Sequence, residues 1–125
     1  MSQYGTKFLL EFCTIQSFTI IVTMVWYQYI GVFFAGAFFA NTVPHFVHGI
    51  SGNKFPTPFS NPRGIGLSSA TTNVIWALVN LVAGYLLFSA NKPSNEHPLS
   101  MIVFFAGIAI LSILMSIRFR EKHKE

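Results

Sequence analysis

Ser69-Ala70-Thr71-Thr72-Asn73-Val74-Ile75-Trp76-Ala77-Leu78-Val79-Asn80-Leu81-Val82-Ala83-Gly84-Tyr85-Leu86-Leu87-Phe88-Ser89-Ala90 carries no charge. About 20 such residues in a helix cross the hydrocarbon of a bilayer. Gly66-Leu67-Ser68-Ser69 supplies a turn and then a helix N-cap. Asn91-Lys92-Pro93 closes the segment, because proline cannot continue a helix and disfavours helical conformation in the residue before it. The reading is a membrane-spanning helix over residues 68–90.

The next span follows directly. Pro98 suits a first helical turn, and the apolar run through Met101 stops in Arg118-Phe119-Arg120-Glu121-Lys122, giving a helix over residues 98–118 and a basic tail over 119–125. Between Arg63 and Arg118 the only charged residues are Lys92 and Glu96.

Upstream, an apolar region runs over residues 12–43. It is long for one upright span and short for two with a turn between them. The main expectation is one tilted helix, with Glu11, Gln16 and Ser17 near the headgroups. The alternative is two short helices meeting near Trp26-Tyr27-Gln28-Tyr29, whose aromatics would lie in an interfacial belt. The run exceeds the apolar core of a cleaved signal peptide, so a retained segment is expected.

Composition agrees with this all-α membrane class, three transmembrane helices or alternatively four. The 125 residues are 52% hydrophobic and 10% charged, against about 25% charged in soluble domains. Disorder is excluded by the same numbers. The net charge of +4 gathers in Arg118, Arg120, Lys122 and Lys124. It reads as contact with anionic lipid headgroups and as a topology signal, not as a nucleic-acid surface. With three spans, Lys54, Arg63 and the tail share one side, while Lys7 and Lys92 lie on the other. That bias places the first loop and the C-terminus in the cytoplasm, in a bacterial inner membrane. Cys13 is the single cysteine, so no intrachain disulfide or CxxC motif exists.

The loop over residues 44–67 holds four of the six prolines and four of the nine glycines, yet Phe46, Val47, Ile50, Phe55, Phe59, Ile65 and Leu67 run through it. Loops beyond about 12–15 residues are usually functional or disordered, and the apolar content favours order. Phe55-Pro56-Thr57-Pro58-Phe59 is expected to be extended, with Phe55, Pro56, Pro58 and Phe59 forming a contact surface at the cytoplasmic interface.

Phe34-Ala35-Gly36-Ala37-Phe38-Phe39-Ala40-Asn41-Thr42-Val43-Pro44-His45-Phe46-Val47-His48-Gly49, Phe55-Pro56-Thr57-Pro58-Phe59, Gly64-Ile65-Gly66-Leu67-Ser68-Ser69, Asn73-Val74-Ile75-Trp76 and Asn80-Leu81-Val82 together resemble a group of short bacterial multi-span integral membrane proteins. The resemblance covers roughly residues 34–87. Its pattern has Pro where this chain has Arg63 and Gly where it has Ala77. It implies a multi-span membrane protein and brings no activity, cofactor or catalytic residue.

Chemistry-bearing residues are few. His45 and His48 share a helix face if Pro44 opens a helical turn. With His123 and Glu121 they could ligate a metal, which needs three or four ligands. The other reading has them capping the helix end and bonding loop carbonyls. The two later spans lack His, so a bis-His haem would need another chain, and no cofactor is expected. Asn73, Ala77, Asn80 and Gly84 recur at i, i+4, i+7 and i+11, a small and polar stripe that should face protein. It is either interhelical glue or the lining of a solute path. Gly36 and Ala40 offer a matching face on the first helix, and Ala109, Ser112 and Ser116 one on the third. Three slim helices enclose little volume, so a pocket is expected to need oligomerisation. No P-loop, GxSxG, HExxH or CxxC occurs, which leaves no hydrolase or nucleotide signature. The leading expectation is an accessory subunit or homo-oligomer acting by helix association. A transporter or channel of several copies, and a redox or metal protein using His45 and His48, are the alternatives.

Overall fold

Backbone groups in hydrocarbon must be bonded within their own segment, and this chain meets that demand with helices. The computed structural model describes residues 3–22 and 24–120, with the side chains of all but residues 17–22. It contains α1 (Gln3–Val22), α2 (Trp26–Ile50), α3 (Ala70–Asn91) and α4 (Pro98–Arg120) and no strand among the described residues. Helices α2, α3 and α4 are each long and apolar enough to cross a membrane. The protein is therefore all-helical with three candidate spans.

The first apolar region differs from the main expectation. One helix over residues 12–43 is replaced by α1 and α2, with the break beside Trp26. Its local cause is Gln28. Val25 is extended (φ −68°, ψ 141°), its N–H donates to Gln28 Oε1 at 2.9 Å, and the Gln28 N–H donates to the Val25 carbonyl at 2.8 Å. A glutamine at the third helical position satisfies an otherwise orphaned donor by reaching back in this way. At the other end α2 passes through Pro44 and continues to Ile50. Proline costs one backbone bond, a loss that membrane helices accommodate through neighbouring groups. The helix stops where Gly52 adopts φ 74° and the Asn53 N–H bonds the His48 carbonyl at 2.9 Å.

The later boundaries lie close to the expected ones. Ser69 Oγ accepts from the Thr72 N–H at 3.1 Å and starts α3. Lys92 ends it in the left-handed region (φ 43°), immediately before Pro93.

Helix α2 packs against both α3 and α4, and among the described residues α1 packs against none of them. Small and polar residues face inward: Val32, Ala35, Gly36 and Ala40 on α2, Asn73, Ala77, Asn80 and Gly84 on α3, Ser100 and Gly107 on α4. Large apolar residues such as Ile75, Tyr85, Ile102 and Ile113 face outward, as a lipid solvent allows. The α2–α4 contact is reciprocal. A Cβ at Gly36 would overlap the Phe104 carbonyl oxygen, and one at Gly107 would overlap the Phe33 carbonyl oxygen. Ala109, Ser112 and Ser116, expected on this face, are exposed instead. The close approach is made on the opposite side of α4, where the only glycine of that helix lies.

Candidate functional site at the loop end of the helices

Inside the bundle the three spans meet through Phe39, Phe88 and Phe104. Their ring centroids are 6.5 Å (39–88), 5.9 Å (39–104) and 5.2 Å (88–104) apart. At one end the loop over residues 51–69 fills the space between them. The loop is ordered by its own bonds. Phe55 and Ser68 form an antiparallel bridge, with N–H to carbonyl distances of 3.3 and 3.0 Å. The Thr57 and Ser68 hydroxyls meet at 2.5 Å. The Thr57 carbonyl accepts from Ser60 Oγ at 2.7 Å and from the Gly64 N–H at 3.1 Å. The chain therefore turns after Thr57, and Phe55-Pro56-Thr57-Pro58-Phe59 does not stay extended to its end.

Phe55 and Pro56, expected on the outer surface, are buried, whereas Pro58 and Phe59 are exposed. Phe55 lies inward because its ring fills the gap between α2 and α4. It stacks on His48 (4.3 Å, 12° between planes), meets His45 edge-on at 5.3 Å and touches Phe119 at 4.7 Å. Phe59 packs edge-on against Trp76 of α3 at 5.1 Å.

Asn73 staples loop to helices. Its Nδ2 donates to the carbonyls of Phe55 (2.9 Å), Ser68 (3.2 Å) and Ser69 (2.9 Å). Its Oδ1 lies 2.8 Å from His45 Nδ1. With three carbonyls around the amide nitrogen, the amide oxygen must be the atom that faces His45, so His45 Nδ1 carries the proton. The Nε2 lone pair of His45 is left for other partners. Four residues earlier on α2, Asn41 Nδ2 donates to Asn80 Oδ1 at 2.9 Å, and Asn80 Nδ2 donates back to the Trp76 carbonyl at 2.6 Å. Thr42 Oγ1 reaches the Phe38 carbonyl at 2.9 Å and the Ala77 carbonyl at 3.4 Å. All four stripe residues on α3 thus face α2, with both carboxamides bonded across the contact.

His45 and His48 share one side of α2, both against Phe55. His45 bonds a carboxamide and no loop carbonyl. His123 and Glu121 lie outside the described residues. Among the described residues no three His, Cys, Asp or Glu side chains come together in a way that could hold a metal.

Sequence reasoning missed a crevice of about 480 Å³ beneath the loop. Asn41 and His45 of α2, Trp76 of α3, and Met115, Arg118 and Phe119 of α4 line it. The loop adds Pro56, Thr57, Pro58, Arg63 and Gly64. The expectation that a pocket needs several copies is corrected here. The loop supplies the wall that three slim helices lack. A signal was available in the loop's aromatic content, which required that part of the loop turn inward.

No family model, curated protein or solved structure matches this chain.

Proposed function

We propose that this chain is a bacterial inner-membrane protein, with the loop and C-terminus in the cytoplasm, that works by holding a small ligand beneath the loop. The crevice carries this reading. Its volume of about 480 Å³ falls in the range of about 300–1,000 Å³ that accommodates small molecules. Its walls are mainly apolar, with a few convergent polar groups, the usual pattern of a ligand site. The Asn73 staple and the loop's internal bonds hold the wall in place without a ligand. The charge bias of the loop and tail supports the cytoplasmic orientation.

The test is native mass spectrometry of detergent-purified protein beside Met115→Trp, which fills the crevice from α4. A bound small molecule on the wild type and its loss from the variant are expected. Equal occupancy in both proteins, or none in either after exposure to a total lipid and metabolite extract, refutes the reading.

A second reading rests on α1, which among the described residues packs against no other helix and whose side chains over residues 3–16 are all exposed. As an accessory subunit or homo-oligomer, the protein would use α1 to join another chain. Cys13, exposed on that helix, allows a direct check by bismaleimide crosslinking in native membranes. A homodimer or a heavier mixed adduct supports association through α1. Monomer alone, under conditions that fully label Cys13, counts against it.

A further inference from the structure

Resting on the ligand-binding reading, we infer that the crevice recognises an oxyanion, a carboxylate or phosphate group, carried on an apolar body. Two guanidinium-bearing residues from separate elements line the same crevice, Arg63 from the loop and Arg118 from the last turn of α4. Arg118 reaches the loop beside Arg63 in the chain: a Cβ on the neighbouring Gly64 would stand 3.0 Å from Arg118 Nη2. The Arg118 guanidinium therefore lies against the loop backbone.

Among the described residues, neither arginine has a carboxylate or hydrogen-bond partner and no acidic residue lines the crevice. Of the four acids, Glu11 lies on α1, Glu96 lies between α3 and α4 at the far end, and Glu121 and Glu125 lie outside the described residues. Two cationic residues lining one crevice both attract an anion placed between them. Guanidinium is the side chain best matched to planar or tetrahedral oxyanions, through paired N–H donors. The Trp76, Met115 and Phe119 side chains provide the apolar wall. An acidic lipid headgroup and a soluble organic acid or phosphate share this chemistry.

Trp76 also reports on the site. In a Trp26→Phe background it is the single tryptophan, since the chain has two. Its fluorescence in neutral-detergent micelles would be followed during titration with phosphatidylglycerol, phosphatidylcholine, decanoate and inorganic phosphate. Saturable binding of phosphatidylglycerol is expected, with Kd raised about tenfold or more by Arg63→Gln and by Arg118→Gln, the loss expected when one charge-assisted contact is removed. Arg120→Gln removes the same charge from the same end of α4 outside the crevice and is expected to change Kd by less than about twofold. This control separates the site from general attraction to an anionic surface. The three variants lie at exposed positions, and unchanged circular dichroism and melting show that they fold.

Arginine-dependent binding of phosphatidylglycerol alone supports the inference with a lipid as source. Arginine-dependent binding of decanoate or inorganic phosphate supports it with a soluble source. If phosphatidylcholine binds as well as phosphatidylglycerol and the arginine variants match Arg120→Gln, the oxyanion inference is overturned while the crevice remains a ligand site. If no probe alters the Trp76 signal, the oxyanion inference is overturned, and the native mass spectrometry decides whether the crevice holds another ligand.

Discussion

The amide oxygen of Asn73 on α3 accepts the Nδ1 proton of His45 on α2 across 2.8 Å, while the nitrogen of the same amide holds three carbonyls of the loop and of the start of α3. One fully buried side chain thus fixes a helix pair, a loop and an imidazole tautomer together.

Asn73→Ala removes all of these side-chain bonds and leaves a buried imidazole N–H unsatisfied, while the Phe55, Ser68 and Ser69 carbonyls keep their backbone donors. One unsatisfied buried donor costs about 1–3 kcal/mol and each other lost bond about 0.5–1.5 kcal/mol, so a loss of about 2–5 kcal/mol is expected in detergent unfolding. The loop should also become a substrate for added protease. A loss under about 1 kcal/mol with the loop still resistant would contradict the staple.

The reciprocal glycine contact predicts a ranking. Gly36→Ala and Gly107→Ala each place a methyl group on a backbone carbonyl of the facing helix, which must move away, at about 1–3 kcal/mol. At Gly84 the nearest atom to an added Cβ, the Ala35 carbonyl oxygen, is 3.3 Å away, so Gly84→Ala should cost less. Gly5→Ala meets nothing within 4 Å and should be neutral or slightly stabilising, since alanine favours helix. Melting temperatures in one detergent would check the order.

Asn41 and Asn80 should be energetically coupled. Hydrogen bonds between membrane helices are worth about 0.6–1.7 kcal/mol in double-mutant cycles. A cycle of Asn41→Ala and Asn80→Ala is expected to give a coupling energy in that range. A value near zero would mean that each amide finds a substitute partner.

The loop and the end of α4 lie at one end of the bundle, because Phe55 touches Phe119. In a Cys13→Ser background, Asn53→Cys is expected to react with an impermeant maleimide only in inside-out vesicles. Asn95→Cys, between α3 and α4, should react only in right-side-out ones. The reverse pattern would invert the proposed orientation.

The helices were most legible where single residues act locally. Ser69 caps, Lys92-Pro93 terminates and Pro98 begins within one turn of where they stand in the chain. The break before Trp26 was less legible, because residues 12–43 keep one composition throughout and the deciding event is the reach of Gln28 back to Val25. Pro44 misleads as a boundary, since the helix survives it inside a packed bundle. On α4 small residues occur on more than one side, and only the position of the Phe33 carbonyl decides that Gly107 faces α2. The crevice was least legible. Arg63 and Arg118 are 55 residues apart in the chain (118 minus 63) and read individually as topology charges. Their convergence depends on where Phe55 anchors the loop.

Because Gly36 and Gly107 each lie under a carbonyl of the opposite helix, α4 is keyed to α2 at a set depth and cannot slide by a residue without collision. Arg118 follows Gly107 by three turns, about 16 Å along the axis. The height of that guanidinium above the mid-plane of the bilayer is therefore gauged by the glycine joint, like a mark on a rule clamped at its middle.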